Sequence, residues 1–208
     1  MLTTATIKNI ILDRDGTLIE ERHYLRNPEE VHLITGVVAP MRKLCQIGCH
    51  FFVVSNQSGI GRGILTLEDY QTVHARLIQI LNTHDITLQD AVFCPHAPSE
   101  QCTCRKPGQA LWKQLVEKHG LRAEESVMVG DKASDVRFGL NAGMALSALV
   151  RTGHGNAQAE KMGLPVLHPP VEALPERRED WPHLQARNLT DFLDWLVQQK
   201  GLVHAHRI

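Results

Sequence analysis

The sequence predicts a doubly wound α/β fold built on a mostly parallel sheet. Three observations carry that reading. Short apolar runs alternate with segments of helical spacing. The strand–loop–helix order repeats at least five times, as parallel strands joined by crossover helices require. Each of these runs ends in a polar loop, as expected of strands whose carboxyl ends share one edge. The chain of 208 residues is long enough for one such domain with a sizeable core, and no linker divides it. A single domain over residues 1–208 is therefore expected.

The elements follow in order. Ile7 to Leu12 is continuous, apolar and rich in β-branched residues, which suits a strand buried on both faces. It ends in Asp13-Arg14-Asp15-Gly16-Thr17, where the glycine allows a sharp turn. Residues 16–36 are polar and irregular, a loop or short hairpin over the strand end. Val37 to Ile47 has helical spacing and stops at Gly48, with Cys45 and Cys49 read as small apolar residues. His50 to Val54 is the second strand, running into a polar loop from Ser55 to Gly63. Thr66 and Asp69 open a helix that extends to about Asn82. Leu88 to Phe93 is the third strand, leading into a loop from Cys94 to Pro107. A helix from about Gln109 to His119 is closed by Gly120.

Ser126 to Val129 is the fourth strand, followed by Gly130-Asp131 and a helix to about Asn141. Ala145 to Val150 is the fifth, ending in Arg151 to Gly155. Residues 164–187 are rich in proline and charge, without a period, and read as an irregular surface excursion. An amphipathic helix spans Leu189 to Gln199, and the tail from Gly201 is expected to fray. Trp112, Trp181 and Trp195 read as packing residues.

Composition excludes several classes. The formal net charge is −1, which gives no footprint for nucleic acid or a membrane surface. No apolar run approaches spanning length, and Met1-Leu2-Thr3-Thr4 carries no leader signature. A cytoplasmic protein is expected. Of five cysteines, Cys94, Cys102 and Cys104 lie within eleven residues. An odd, clustered count favours metal binding over a disulfide framework.

Asp13 and Asp15 carry the first chemical suggestion. Two close carboxylates repel, and a hard divalent cation is their natural partner. A polar turn would use the same residues, so the tetrapeptide alone does not decide. A calcium loop fits poorly, because the acidic pattern is incomplete and the preceding segment is strand-like. The other strand ends add Ser55, then Lys106 after the cysteine loop, then Asp131 and Asp135. Each is ordinary alone, but a parallel sheet places all of them along one edge.

Asp13-x-Asp15-Gly16-Thr17, Ser55, Lys106 and Gly130-Asp131-x-x-x-Asp135 resemble, in order and element, the four motifs of the haloacid dehalogenase superfamily. Ser55-Asn56-Gln57-Ser58-Gly59-Ile60-Gly61-Arg62-Gly63 and Cys94-Pro95-His96…Cys102-x-Cys104-Arg105-Lys106-Pro107 resemble the D-glycero-D-manno-heptose 1,7-bisphosphate phosphatases within it. Histidinol-phosphate phosphatases share the fold and much of the cysteine loop. The resemblance implies a Rossmann-like sheet without a large cap domain and with a zinc-stabilised loop at about 94–107. It differs in a short Pro107-Gly108-Gln109 junction and a long proline-rich stretch before the last helix.

The same resemblance implies the chemistry. Asp13 is the nucleophile and forms an aspartyl-phosphate. Asp15 protonates the leaving alkoxide and then deprotonates water, in surroundings expected to favour its neutral form. Mg²⁺ is held by Asp13, the Asp15 backbone carbonyl and Asp131. Ser55, Asn56 and Lys106 hold the phosphoryl oxygens. Arg105 suits a second phosphate, read against a merely exposed arginine. Asp135 either orients Lys106 or supports the metal site, or is simply a first-turn helix aspartate. Cys94, His96, Cys102 and Cys104 form a structural Zn²⁺ site, though their spacings are tighter than usual. Arg62 and the glycines at 59, 61 and 63 fit either phosphate contact or a tight turn, and His154 reads as a solvated loop residue.

The expected function is hydrolysis of the 7-phosphate of a heptose bisphosphate, by a monomer acting on a small phosphorylated sugar in nucleotide-activated heptose biosynthesis. Histidinol-phosphate hydrolysis is the alternative. The near-zero charge disfavours a DNA-end phosphatase. A non-catalytic zinc-stabilised binding module has no need of Asp15.

Overall fold

The computed structural model describes residue 4, residues 6–174 and residues 178–205. The first strand, β1 (Asn9–Leu12), is buried along its length and leads through a long loop into helix α1 (Val38–Gln46). Strand β2 (His50–Asn56), a short helix α2 (Ser58–Gly61) and helix α3 (Leu67–Asn82) follow. Next come strand β3 (Leu88–Cys94), helix α4 (Ala110–His119), strand β4 (Ser126–Gly130) and helix α5 (Ala133–Asn141). The chain ends with strand β5 (Leu146–Val150), helix α6 (Gly155–Lys161), strands β6 (Val171–Ala173) and β7 (Leu184–Ala186), and helix α7 (Leu189–Ala205).

The seven strands form one sheet in the order β3-β2-β1-β4-β5-β7-β6. Only β6 runs antiparallel to its neighbour. Side chains alternate across the strands, so each face has its own core. Ile10, Leu12, Phe51, Val53, Val127 and Val129 face α1, α3 and α7, meeting Met41, Leu77 and Phe192. Ile11, Phe52, Val54 and Met128 face α4 and α5, meeting Trp112, Leu115 and Phe138. Helix α3 starts as its sequence suggests. The Asp69 amide donates to Thr66 Oγ1 at 3.0 Å, and the Thr66 amide donates to Asp69 Oδ2 at 2.8 Å. None of the helices described is long and apolar enough to cross a membrane.

The structure departs from the sequence reading in four places. Residues 164–187 are not merely an irregular excursion. They include β7, which is fully buried and pairs in parallel with β5, Ala148 opposite Leu184. Three residues are too few to display a period, and the central one is Gln185. That side chain is buried because its amide donates to Glu172 Oε2 at 2.7 Å and to the Pro165 carbonyl at 3.1 Å. Helix α6 has no side-chain cap and opens on glycine, so neither usual start signal marks it. The loop after β2 contains the helical turn α2. Finally, α7 continues past Gln199 to Ala205, whereas residues 206–208 of the tail, like Met1-Leu2-Thr3, lie outside the described residues.

Candidate active site

β1 lies between β2 and β4, with Leu12 paired to both Val53 and Val129. The chain visits β2 and β3 on one side of β1 before crossing to β4 and β5 on the other. The carboxyl ends of β1 and β4 therefore flank the point where strand order reverses, which is where open α/β sheets bind ligands. Asp13 is the first residue beyond β1 and Asp131 the first beyond β4. A cavity of about 270 Å³ opens there, and Asp13, Asp15, Ser55, Asn56, Arg105, Lys106 and Asp135 all line it.

Lys106 is the keystone. Its side chain is 1% exposed, and Nζ lies 2.9 Å from Asp13 Oδ1 and 2.7 Å from Asp135 Oδ1. It also donates to the Val54 carbonyl oxygen. Asn56 clamps the backbone of the same residue. The Lys106 amide donates to Asn56 Oδ1 at 2.9 Å, and Asn56 Nδ2 donates to the Lys106 carbonyl at 3.1 Å. Both ends of the Asn56 amide are thus spent on Lys106.

Asp135 combines two of the readings the sequence left open. One oxygen faces Lys106, and Oδ2 accepts the Lys132 amide at 3.0 Å at the start of α5. Gly130 makes this possible, because a Cβ there would come within 2.3 Å of the Asp135 carboxylate.

Asp131 is held by the loop after β5. The His154 amide donates to its Oδ2 at 2.8 Å, and a Cβ on Gly16 would lie 2.5 Å from that oxygen. The Lys132 ammonium sits 2.9 Å from Asp131 Oδ1 and 3.7 Å from Asp13 Oδ2. Carboxylate oxygens of Asp13, Asp131 and Asp135 come within 4.8 Å of one another. Burial tends to raise the pKa of Asp13, but the Lys106 and Lys132 ammoniums outweigh it and hold Asp13 below the ordinary range. Asp131 moves the other way: burial, and then the charge on Asp13, push it up to about 7. Burial likewise raises Asp135. Burial pulls Lys106 down, but the charges of Asp13 and Asp135 more than offset this and keep it a cation. An anionic carboxylate, Asp13, beside the crowded buried carboxylate of Asp131 is a donor set that fits a hard divalent cation.

Asp15 is held by Arg14 and Gln57. Arg14 Nε donates to its Oδ2 at 3.0 Å and Arg14 Nη2 to its Oδ1 at 3.1 Å. Gln57 Nε2 donates to the same Oδ2 at 2.8 Å and to Ser55 Oγ at 2.7 Å. Three N–H groups thus face the Asp15 carboxylate. The reason is that Arg14, between the two aspartates, folds inward instead of facing solvent. Oδ2 accepts two of these bonds and Oδ1 only one, so Oδ1 keeps the open lone pair.

Sequence reasoning missed Arg14, Gln57 and Lys132. Only adjacency to an aspartate marked Arg14 and Lys132, and Gln57 was marked only as part of the Ser55–Gly63 loop, with no role of its own. His154 is on the loop after β5 with its side chain 43% exposed, and the residue lines the cavity with Nε2 3.5 Å from Glu21 Oε2. Arg105 lines the cavity with a buried Nη1 that has no hydrogen-bond partner. Arg62 does not line it and donates instead to the Tyr24 hydroxyl at 3.0 Å.

A second cluster lies in the loop that delivers Lys106. His96 Nδ1 is 3.5 Å from Cys94 Sγ and 3.2 Å from Cys104 Sγ. Cys102 Sγ is 3.4 Å from Cys94 Sγ and 3.5 Å from Cys104 Sγ. Four soft donors within 4.8 Å of one another approach the edges of a tetrahedron around one ion.

Comparison with known proteins matches this architecture. A D-glycero-β-D-manno-heptose-1,7-bisphosphate 7-phosphatase from Helicobacter pylori J99 is 32% identical over 199 residues, covering 94% of this chain and 99% of the relative. The chain belongs to the haloacid dehalogenase superfamily, within its heptose bisphosphate phosphatase family. A Photorhabdus laumondii relative named for the α-anomer is 31% identical, over 73% of this chain and 87% of the other. Residues 103–175 also match the HAD-hydrolase-like family model. Among solved structures, the D,D-heptose 1,7-bisphosphate phosphatase from B. bronchiseptica, complexed with magnesium and phosphate, superposes with a TM-score of 0.77 at 25% identity. That superposition covers 93% of this chain and 99% of the other. Membership of this family agrees with a mostly parallel sheet carrying its reactive groups at the β1 and β4 ends.

Proposed function

We propose that this protein is a phosphoric monoester hydrolase that removes the 7-phosphate of D-glycero-D-manno-heptose 1,7-bisphosphate. The observation that carries the proposal is Asp13, kept anionic by two lysines at the β1 end of a cavity it shares with Asp15 and Ser55. Asp13 attacks phosphorus and the leaving alkoxide departs, giving an aspartyl-phosphate. Asp15 gives its proton to that alkoxide from Oδ1 and takes one back from the water that hydrolyses the intermediate. Lys106 and Ser55 neutralise and orient the phosphoryl oxygens. Asn56 acts through Lys106, whose backbone it clamps. Arg105, which lines the cavity and has a guanidinium nitrogen without a hydrogen-bond partner, suits the second phosphate.

Two metals complete the reading. Asp13, Asp131 and the Asp15 carbonyl hold Mg²⁺, which neutralises charge between an anionic nucleophile and an anionic substrate. Cys94, His96, Cys102 and Cys104 hold a structural Zn²⁺. The enzyme is a single phosphatase domain over residues 1–208, acting as a cytoplasmic monomer without nucleic-acid partners.

The deciding experiment is phosphate release, with Mg²⁺ or with EDTA, from both anomers of the heptose bisphosphate and from histidinol phosphate. Mg²⁺-dependent preference for one heptose anomer is expected. Preference for histidinol phosphate would keep the chemistry and replace the substrate.

A further inference from the structure

Arg14 is the largest side chain among the fully buried residues, at 1% exposure. The simplest place for the middle residue of Asp-x-Asp at a strand end is solvent, and a buried guanidinium is costly unless paired. Here it is paired in one direction only. Nε and Nη2 form a fork on the Asp15 carboxylate, and Nη2 also donates to Gln57 Oε1 at 3.3 Å. The guanidinium lies 5.0 Å from the centre of the Tyr70 ring, which is itself buried. Its remaining nitrogen, Nη1, is buried without a hydrogen-bond partner. The position of Arg14 follows what Asp15 needs.

We propose that Arg14 is a positioning residue for Asp15, with Tyr70 as its floor and Gln57 as its brace. Held through both carboxylate oxygens and through Gln57 to Ser55, Asp15 keeps one orientation at the cavity wall. Its Oδ1, the oxygen with the open lone pair, is thereby fixed relative to the phosphoryl group. A lysine at position 14 would keep the charge but lose the two-pronged geometry. A tyrosine-to-phenylalanine change at position 70 keeps the ring face that supports the guanidinium. The inference rests on Asp15 as the proton donor of the proposed function.

The test exploits the leaving group. Departure of a sugar alkoxide needs a proton, whereas departure of p-nitrophenolate does not. The ratio kcat/KM reports on steps up to that departure. Arg14→Lys is expected to lower kcat/KM for the heptose bisphosphate by about 10- to 100-fold, as misplacement of a catalytic group does. Its kcat/KM for p-nitrophenyl phosphate should stay within about threefold, since no proton transfer is at stake. Tyr70→Leu should give the same split in weaker form, and Tyr70→Phe should behave as wild type. These two variants leave position 14 intact and serve if Arg14→Lys folds poorly.

Equal loss on both substrates in Arg14→Lys and Tyr70→Leu would assign a purely structural role and overturn the proposal. No loss on either would overturn it too. Asp15→Asn separates the two levels. If it shows the leaving-group split and the Arg14 and Tyr70 variants do not, only the positioning role fails. If Asp15→Asn itself shows no split, the proton-donor reading fails and takes this proposal with it.

Discussion

The cavity at the β1 and β4 ends and the cysteine–histidine loop beside it solve the same problem differently. Both crowd ligand-type side chains into a small volume. In the cavity, groups distant in sequence are brought together by the sheet, and the protein supplies its own counter-charges, Lys106 and Lys132. In the loop, all four groups lie within eleven residues of sequence. Charge pairing within the protein therefore draws the first cluster together, whereas the second would be drawn together by the proposed zinc ion. Position 106 joins the two, since it follows Cys104 by two residues and ends in the cavity.

The largest effect should come from the cavity. Asp13→Asn removes the proposed nucleophile and is expected to lower phosphate release by about 10⁴-fold or more, with an unchanged circular dichroism spectrum. Activity close to wild type would remove Asp13 from the chemistry.

Next is Lys106→Met, which leaves Asp13 and Asp135 as neighbouring buried carboxylates without their shared cation. Breaking a buried pair in this way costs about 3–5 kcal/mol, measured by urea unfolding at neutral pH, and activity should be lost as well. Unchanged stability would mean that the sheet edge does not rely on internal charge pairing.

Cys102→Ser tests the loop. Elemental analysis should give one zinc per wild-type chain and little in the variant. Because the loop carries Lys106, activity at saturating Mg²⁺ should fall even though no cavity residue has changed. Full activity without zinc would uncouple the two clusters.

The smallest effect is expected for Asn56→Ala, which removes both bonds to the Lys106 backbone. About 1–3 kcal/mol of stability should be lost, with a modest fall in kcat and little change in KM. A rise in KM alone would instead place Asn56 on the substrate.

The sequence made the cavity legible in outline because its residues sit at strand ends that periodicity can locate. Asp13, Ser55, Lys106, Asp131 and Asp135 each follow a recognisable run or loop, so their convergence follows from a parallel sheet. The supporting contacts were less legible. Gln57 reaches Asp15 across 42 positions of chain, and no local pattern encodes such a meeting. Arg14 is hidden because a charged residue just beyond a strand end reads as solvent-exposed. β7 is hidden by its brevity and by a glutamine whose burial makes sense only once Glu172 and Pro165 are beside it.

The most direct test of the central claim uses Asp15→Asn with p-nitrophenyl phosphate. Formation of the phosphoenzyme then needs no acid, whereas its hydrolysis lacks a base. The account predicts a burst of p-nitrophenolate equal to the enzyme concentration, followed by slow turnover, with the phosphoryl group on the peptide containing Asp13. Steady release without a burst, or a phosphoryl group on any other residue, would contradict it.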